Sequence, residues 1–318
     1  MKIAEAAAWL QTCEQAIILI HQSPDGDCIG SGYALAALFR QMGKHAVVRC
    51  SDPIPARYAF LTQESEDTVD ELVAAVISVD VADRKLLGDL DAVYGDRVQL
   101  AIDHHMIHRT FAAECCLYPQ AAAACEIVYA IAQQLPAVMT EHIAACLYTG
   151  LATDTGCFQF DNVTPNTLRV AADLMEQFPD IRYGKINRAM FAVKSMGRLH
   201  LEQKLTDQMR SYFNGKCMII CITLEFLQTY EIDQAELDGL AGFPLQVEGA
   251  EVGITLKERE TNVFKISMRS ADCLDVAAIC QQFGGGGHVK AAGCLIEGTA
   301  EEVIQKLTDA VERSFAAQ

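Results

Sequence analysis

AIILIHQSPDGD, residues 16–27, joins two unlike halves: five consecutive apolar residues, Ala16–Ile20, and then His21, Asp25 and Asp27 within seven positions. An apolar run without alternation suits a strand buried on both faces, as in a parallel sheet. The polar residues therefore fall at the carboxyl end of that strand, where open parallel sheets place their ligand sites. Downstream, Ile29–Met42 reads as a helix and Ala46–Val48 begins the next strand. The same figure then recurs twice: Val73–Val79 ends in Asp80, with Asp83 beyond, and Val98–Ile102 ends in Asp103-His104-His105. Helical patterns follow near Ala122–Gln134, Glu141–Ala152 and Pro165–Phe178, the last opened by proline directly behind Thr164. The pattern predicts an α/β domain with a mainly parallel sheet.

Composition bounds the function. The 318 residues are too many for one core, and 51% hydrophobic with 21% charged describes a well-buried chain. The opening MKIAEAAAWLQTCEQ reads as an amphipathic helix rather than a secretory signal, and no run has the length of a membrane span. Thirteen cysteines, scattered and without a C-x-x-C pair, fit small buried hydrophobes in a reducing cytoplasm. The net charge of −17 argues against coating long nucleic acid and leaves room for small phosphorylated substrates at a local positive site.

The chain divides into 1–180, the domain that carries the acid- and histidine-rich strand ends; 181–213, a basic helical connector with Arg182, Lys185, Arg188, Lys194, Arg198 and Lys204; and 214–318, a smaller α/β domain. The last opens at the turn Asn214-Gly215. It continues through strand-like Cys217–Ile222, Glu251–Lys257 and Val263–Met268, a helix near Leu274–Phe283, a glycine run, strand-like Ala292–Ile296 and a helix over Ala300–Phe315.

Three acid- and histidine-rich clusters end three predicted strands, and a fourth, Asp154, sits among small residues in Gly150-Leu-Ala-Thr-Asp154-Thr-Gly156. Alone, Pro24-Asp25-Gly26 is a turn and Asp80 a strand-end loop residue. Together they form a donor set of imidazole and carboxylate suited to divalent ions of intermediate hardness. Four aspartates, 25, 27, 80 and 154, carry a charge that two such ions neutralise; without metal they repel, and some must protonate. Two ions roughly 3.5–4 Å apart activate one water and stabilise phosphoryl oxygens. Cys28 and Cys157 lie beside these residues and read as packing.

In this order, His21-x-x-Pro-Asp-Gly-Asp27, Asp80, Asp103-His104-His105 and Gly150-x-x-x-Asp154-Thr-Gly156 resemble the four motifs of DHH-family phosphoesterases. Met268-Arg269-Ser270, Asp275-Val-Ala, Phe283-Gly-Gly-Gly-Gly-His288 and Ala291-Ala-Gly293 resemble a DHHA1 substrate domain. The compact length is similar to the stand-alone nanoRNase/pAp phosphatase branch. The resemblance implies manganese as cofactor: His21 and Asp25 on one ion, Asp27, His104 and Asp154 on a second, and Asp80 bridging. It implies that Asp103 orients its neighbours and that His105 contacts phosphate or assists the leaving group. Arg269, Gly284, Gly285, Gly286, Gly287 and His288 would bind substrate, the glycines through backbone N–H groups and the arginine by a two-pronged grip, across a cleft closed by the second domain.

The implied activity is hydrolysis of short RNA and of the 3′-phosphate of pAp in the cytoplasm, with no long nucleic acid and no membrane as partner and with a homodimer left open. The alternatives are a phosphodiesterase for cyclic dinucleotides or linear pApA and pGpG, a pyrophosphatase with a related metal domain, and a non-catalytic nucleotide-binding regulator. Two departures bear on substrate preference. Ala121–Ala124 stand where this branch often has hydroxyl residues, and Phe158-Gln159-Phe160 where it often has an arginine. Lys257, Lys265 and Lys290 read as solvated residues.

Overall fold

The computed structural model describes residues 1–63, 67–231, 237, 239–272 and 274–316. Its contacts separate two compact units, Met1–Val193 and Lys194–Gln318.

In the first unit five strands, β1 (Gln15–Leu19), β2 (His45–Arg49), β3 (Ala75–Val79), β4 (Val98–Asp103) and β5 (Glu114–Leu117), form a wholly parallel sheet in the order β2-β1-β3-β4-β5. Both faces are covered. Ala16, Ile18 and Ile20 face one core, whereas Ile17 and Leu19 face another with Val47, Val76 and Leu87. The first core is built with α1 (Ile3–Thr12), α2 (Gly26–Gln41) and, later in the chain, a helix at Ala124–Ala132 and another at Glu141–Asp154. The other face is closed by 3-10 turns at Arg84–Leu90 and by α3 (Asp91–Tyr94). The helices Ala124–Ala132 and Glu141–Asp154 are α4 and α5; α6 (Pro165–Gln177) and α7 (Tyr183–Asn187) complete the unit. Thr164 caps α6 by accepting from the Thr167 amide, with Pro165 in the first turn. Because the chain leaves β1 toward β2 and returns on its other side to β3, the strand order reverses between β1 and β3, and a crevice opens there at their carboxyl ends.

The second unit begins with α8 (Met196–Asp207). Its six-stranded sheet runs β10-β11-β9-β8-β7-β6, built from β6 (Arg210–Tyr212), β7 (Cys217–Ile222), β8 (Val252–Glu260), β9 (Val263–Ser270), β10 (Gly286–His288) and β11 (Ala291–Glu297). Among the described residues of this sheet, only β7 and β8 pair in parallel. Three helices, α9 (Leu224–Thr229), α10 (Val276–Gln281) and α11 (Ala300–Ala316), join them. On α11 the buried residues Val303, Ile304, Leu307, Ala310 and Val311 recur at helical spacing and close one core with Phe264, Ile266 and Met268 of β9. On the other side Leu201, Leu205, Phe226 and Leu240 pack on Ile220 and Ile222. The structure adds elements that periodicity does not announce: β5, β6, α9 and the short β10 formed by half of the glycine run. No helix among the described residues is long and apolar enough to cross a membrane.

Candidate metal centre

The crevice between β1 and β3 collects the residues that end the strands. His21 follows β1, Asp80 follows β3 and His104 follows β4, while Asp25 and Asp27 open α2 and Asp154 closes α5. Among the described residues, overlapping groups bring donor atoms within 4.8 Å of one another: His21, Asp25, Cys28 and Asp80; Asp80, His104 and His105; and Asp27, His104 and Asp154. Asp80 links the first to the second, and His104 the second to the third. His104 Nε2 lies 3.2 Å from Asp154, 3.4 Å from Asp80 and 3.8 Å from Asp27, and His21 Nε2 lies 3.6 Å from both Asp25 and Asp80. Cys28, read as packing, is buried and is itself a member of the first group.

Four of the donors are held by backbone. Asp25 caps α2, accepting from the amides of Asp27 and Cys28. Asp27 is fully buried and accepts at 2.5 Å from the Ala124 amide and at 2.9 Å from that of Cys125, the first N–H groups of α4, whose own N-cap, Ala123, has no side chain to offer. His104 Nδ1 donates to the Ala121 carbonyl and His21 Nδ1 to that of Gln22, so both Nε2 atoms are left to the carboxylates. The stretch Ala121–Ala124 thus contributes main-chain groups where its side chains have none to contribute. Asp80 adopts a left-handed conformation, φ 60°, which aspartate tolerates better than most residues.

Close helix packing brings Asp27 and Asp154 together. A Cβ on Gly150 would lie 2.2 Å from Cys125 Sγ and 2.7 Å from Asp27 Oδ1, and one on Gly30 would lie 2.4 Å from the Cys146 carbonyl. These glycines let α5 lie against α2. Beyond Asp154 the backbone makes a left-handed turn through Gly156, Cys157 and Phe158, with φ of 56°, 59° and 65°.

Electrostatics fit a cation. Burial, reinforced by the charges of Asp80 and Asp154, pushes the Asp27 carboxyl well above its ordinary range. Asp154 is raised by burial, which outweighs the hydrogen bond from His104. Burial alone would lower His104, yet hydrogen bonds to Asp154 and Asp80 push it up to about 12, and His21 is raised in the same way by Asp25 and Asp80. Burial also acts on Asp103, but hydrogen bonds from His105 and His108 outweigh it and hold that carboxyl far below the usual range. Oδ1 of Asp80 is buried and closes no hydrogen bond among the described residues, although His104 Nε2 and His105 Nδ1 stand 3.4 and 3.5 Å from it. A buried carboxylate oxygen short of hydrogen bonds amid imidazoles and crowded acids makes a donor set that suits a divalent ion.

Asp103 and His105 stand beside this set. Asp103 Oδ1 accepts from His105 Nδ1 at 2.8 Å, and the His105 ring is partly exposed. The sequence reading missed His108, which reaches the other Asp103 oxygen at 2.7 Å. Its position, five residues past Asp103 in a loop, carries no periodic signal.

In the second unit a cavity of about 880 Å³ is lined by Arg269, Gly284, Gly285, Gly286 and His288, with Lys265, Gly293 and Cys294 among its other walls. Gly287 is not in that lining; its Cα stands against β11, where a Cβ would lie 2.5 Å from the Ala291 carbonyl. Gly285 is equally confined, and Gly284 has φ 75°, whereas Gly286 has open space. Strand contact and backbone conformation thus demand three of the four glycines, and Gly286 alone is subject to neither.

Comparisons with known proteins agree with both units. The profile of the DHH family, N-terminal domain, matches residues 15–151, and that of the DHHA1 domain matches 216–317. The bifunctional oligoribonuclease and PAP phosphatase NrnA of Thermus thermophilus is 30% identical over 94% of this chain and 89% of that protein. The probable bifunctional oligoribonuclease and PAP phosphatase NrnA of Streptococcus mutans is 24% identical over 94% and 96%. An exopolyphosphatase-related protein from Bacteroides fragilis shares the fold at a TM-score of 0.87 and 22% identity, over 98% of this chain and 95% of that one. With both family profiles matched in order and the acid- and histidine-rich centre in place, the chain belongs to the DHH/DHHA1 phosphoesterases, a family of metal-dependent hydrolases.

Proposed function

We propose that the protein hydrolyses phosphate esters of short oligoribonucleotides and removes the 3′-phosphate of pAp, using two manganese ions. The observation that carries this reading is the buried carboxylate of Asp80, common to two groups of donors, whose Oδ1 faces two imidazoles yet closes no hydrogen bond among the described residues. The relatives named as oligoribonuclease and PAP phosphatase support the substrate class. His21 and Asp25 would hold one ion, Asp27, His104 and Asp154 the other, with Asp80 shared. Bound there, the ions supply a water of lowered pKa and positive charge for phosphoryl oxygens.

The chain's own groups do the rest. The Gln22 and Ala121 carbonyls fix the tautomers of His21 and His104. Asp103 fixes the proton of His105 on Nδ1, which leaves Nε2 of that ring for a proton or a phosphate oxygen at the leaving side. In the second unit Arg269, His288 and the Gly286 backbone bind the phosphate not being cleaved.

A substrate panel tests the reading: di- to pentaribonucleotides, pAp, cyclic di-AMP, cyclic di-GMP, pApA, pGpG and pyrophosphate, each with and without chelator. Chelator-sensitive turnover of the short ribonucleotides and pAp is expected. Turnover confined to cyclic dinucleotides or to pyrophosphate would overturn the substrate class, and binding without turnover would overturn the enzyme.

A further inference from the structure

Asp103 is 1% exposed, and among the described residues its carboxylate accepts four hydrogen bonds. Oδ1 accepts from the amide of His104 at 2.8 Å, the amide of His105 at 3.3 Å and the His105 ring at 2.8 Å. Oδ2 accepts from one group only among the described residues, Nδ1 of His108 at 2.7 Å. The His108 side chain is itself buried, with 2% of its surface exposed, and its ring stacks on Phe111 at 5.6 Å. Its Nε2 has no protein partner. If the site needed only volume here, an apolar ring would fill it without stranding a nitrogen. What the imidazole adds is the Nδ1–H that Asp103 uses.

The consequence reaches His105 through geometry. With Oδ2 occupied by His108, the carboxylate cannot turn without stranding one oxygen in a buried place. Oδ1 is then fixed toward the His105 ring, and the proton of that ring stays on Nδ1. We infer that His108 is a positioning residue for the phosphoester hydrolysis: by holding Oδ2 of Asp103 it fixes the orientation and tautomer of His105. This rests on the hydrolase reading above for its chemistry, and on the hydrogen bonds alone for its geometry. The one hydrogen bond of the His108 side chain among the described residues goes to Asp103, so its effect passes through that carboxylate.

Two variants separate this from packing. His108→Phe keeps a flat ring against Phe111 and removes the donor; His108→Asn restores an N–H donor near the place of Nδ1. Three readouts are taken on the full chain: kcat and KM on pAp, bound metal with melting temperature, and the downfield proton signal of the His105 Nδ1–H in the magnesium-loaded, diamagnetic protein. We expect His108→Phe to lower kcat about 10–100-fold, the usual loss when a partner behind a site residue is removed. KM should stay within about twofold, metal content should not change, and the His105 signal should broaden or vanish through exchange. His108→Asn should recover kcat to within about threefold and keep the signal.

A His108→Phe protein with wild-type kcat and an intact His105 signal overturns the inference. So does a loss of activity that tracks lost metal or a lowered melting temperature and that asparagine fails to restore, since that assigns His108 to packing. Should the wild type turn over no phosphoester at all, the hydrolase reading fails, and the His105 signal in the two variants still decides whether His108 fixes that ring.

Discussion

Asp80 combines three properties in one residue: a left-handed backbone, near-complete burial and a carboxylate oxygen that faces two imidazoles without closing a hydrogen bond among the described residues. As the residue common to two donor groups, it should matter more than any other single acid at the centre. Asp80→Ala is expected to lower turnover at least about a thousandfold, roughly 4 kcal/mol of transition-state stabilisation, and to lose metal on dialysis. Metal analysis beside kinetics checks this; a variant that keeps its metal and its rate would remove Asp80 from the bridging role. The donor set, two imidazoles with four carboxylates, also predicts that chelated protein regains activity more strongly with manganese than with magnesium at equal concentration. Full recovery with micromolar magnesium alone would contradict that donor set. Residues of this kind were legible in the sequence because each sits where an apolar run stops. The main-chain partners of Asp27 were not: Ala124 and Cys125 lie 97 and 98 residues away, and nothing local in an alanine run records that its amides are in use.

At the scale of elements, the centre depends on how near α5 lies to α2. Gly150 has Cys125 Sγ and Asp27 Oδ1 where a side chain would begin, and neither fully buried neighbour has space to retreat into. Gly150→Ala should therefore destabilise the first unit by about 2 kcal/mol, the cost of an overpacked core, lowering its melting temperature by about 4–8 °C. It should also weaken metal binding by pushing Asp27 off the amides of α4. Calorimetry and metal titration on the same variant check both, and an unchanged melting temperature would show that the helices yield more easily than the contact implies. Buried parallel strands such as β1 and β3 announce themselves as unbroken apolar runs. The edge strand β5 does not: Glu114–Leu117 is four residues long, with only Cys116 fully buried, and it owes its existence to pairing with β4 rather than to its own pattern. The glycine run shows the same limit, since Gly286–His288 becomes a strand through its register with Ala291–Gly293.

For the whole molecule, every proposed metal ligand belongs to Met1–Val193, and Arg269 and His288 belong to Lys194–Gln318. If the second set holds the part of the substrate away from the cleaved bond, Arg269→Ala and His288→Ala should lower kcat/KM on dinucleotides and pAp by about 10–100-fold, or roughly 1.4–2.7 kcal/mol. A small artificial phosphoester without a second phosphate should be cleaved at nearly the wild-type rate. Equal losses on both substrates would place these residues in the chemical step or in folding. Each unit also closes its own apolar cores, with Leu201 and Leu205 of α8 already packed into the second unit. If Arg269 and His288 select the substrate as proposed, reaction and selectivity are written on separable stretches of chain. A lineage could therefore change its diet, from a bisphosphate to a trinucleotide, by altering residues after position 193 while leaving the hydrolytic apparatus alone, and a breeder of new variants should randomise that half first.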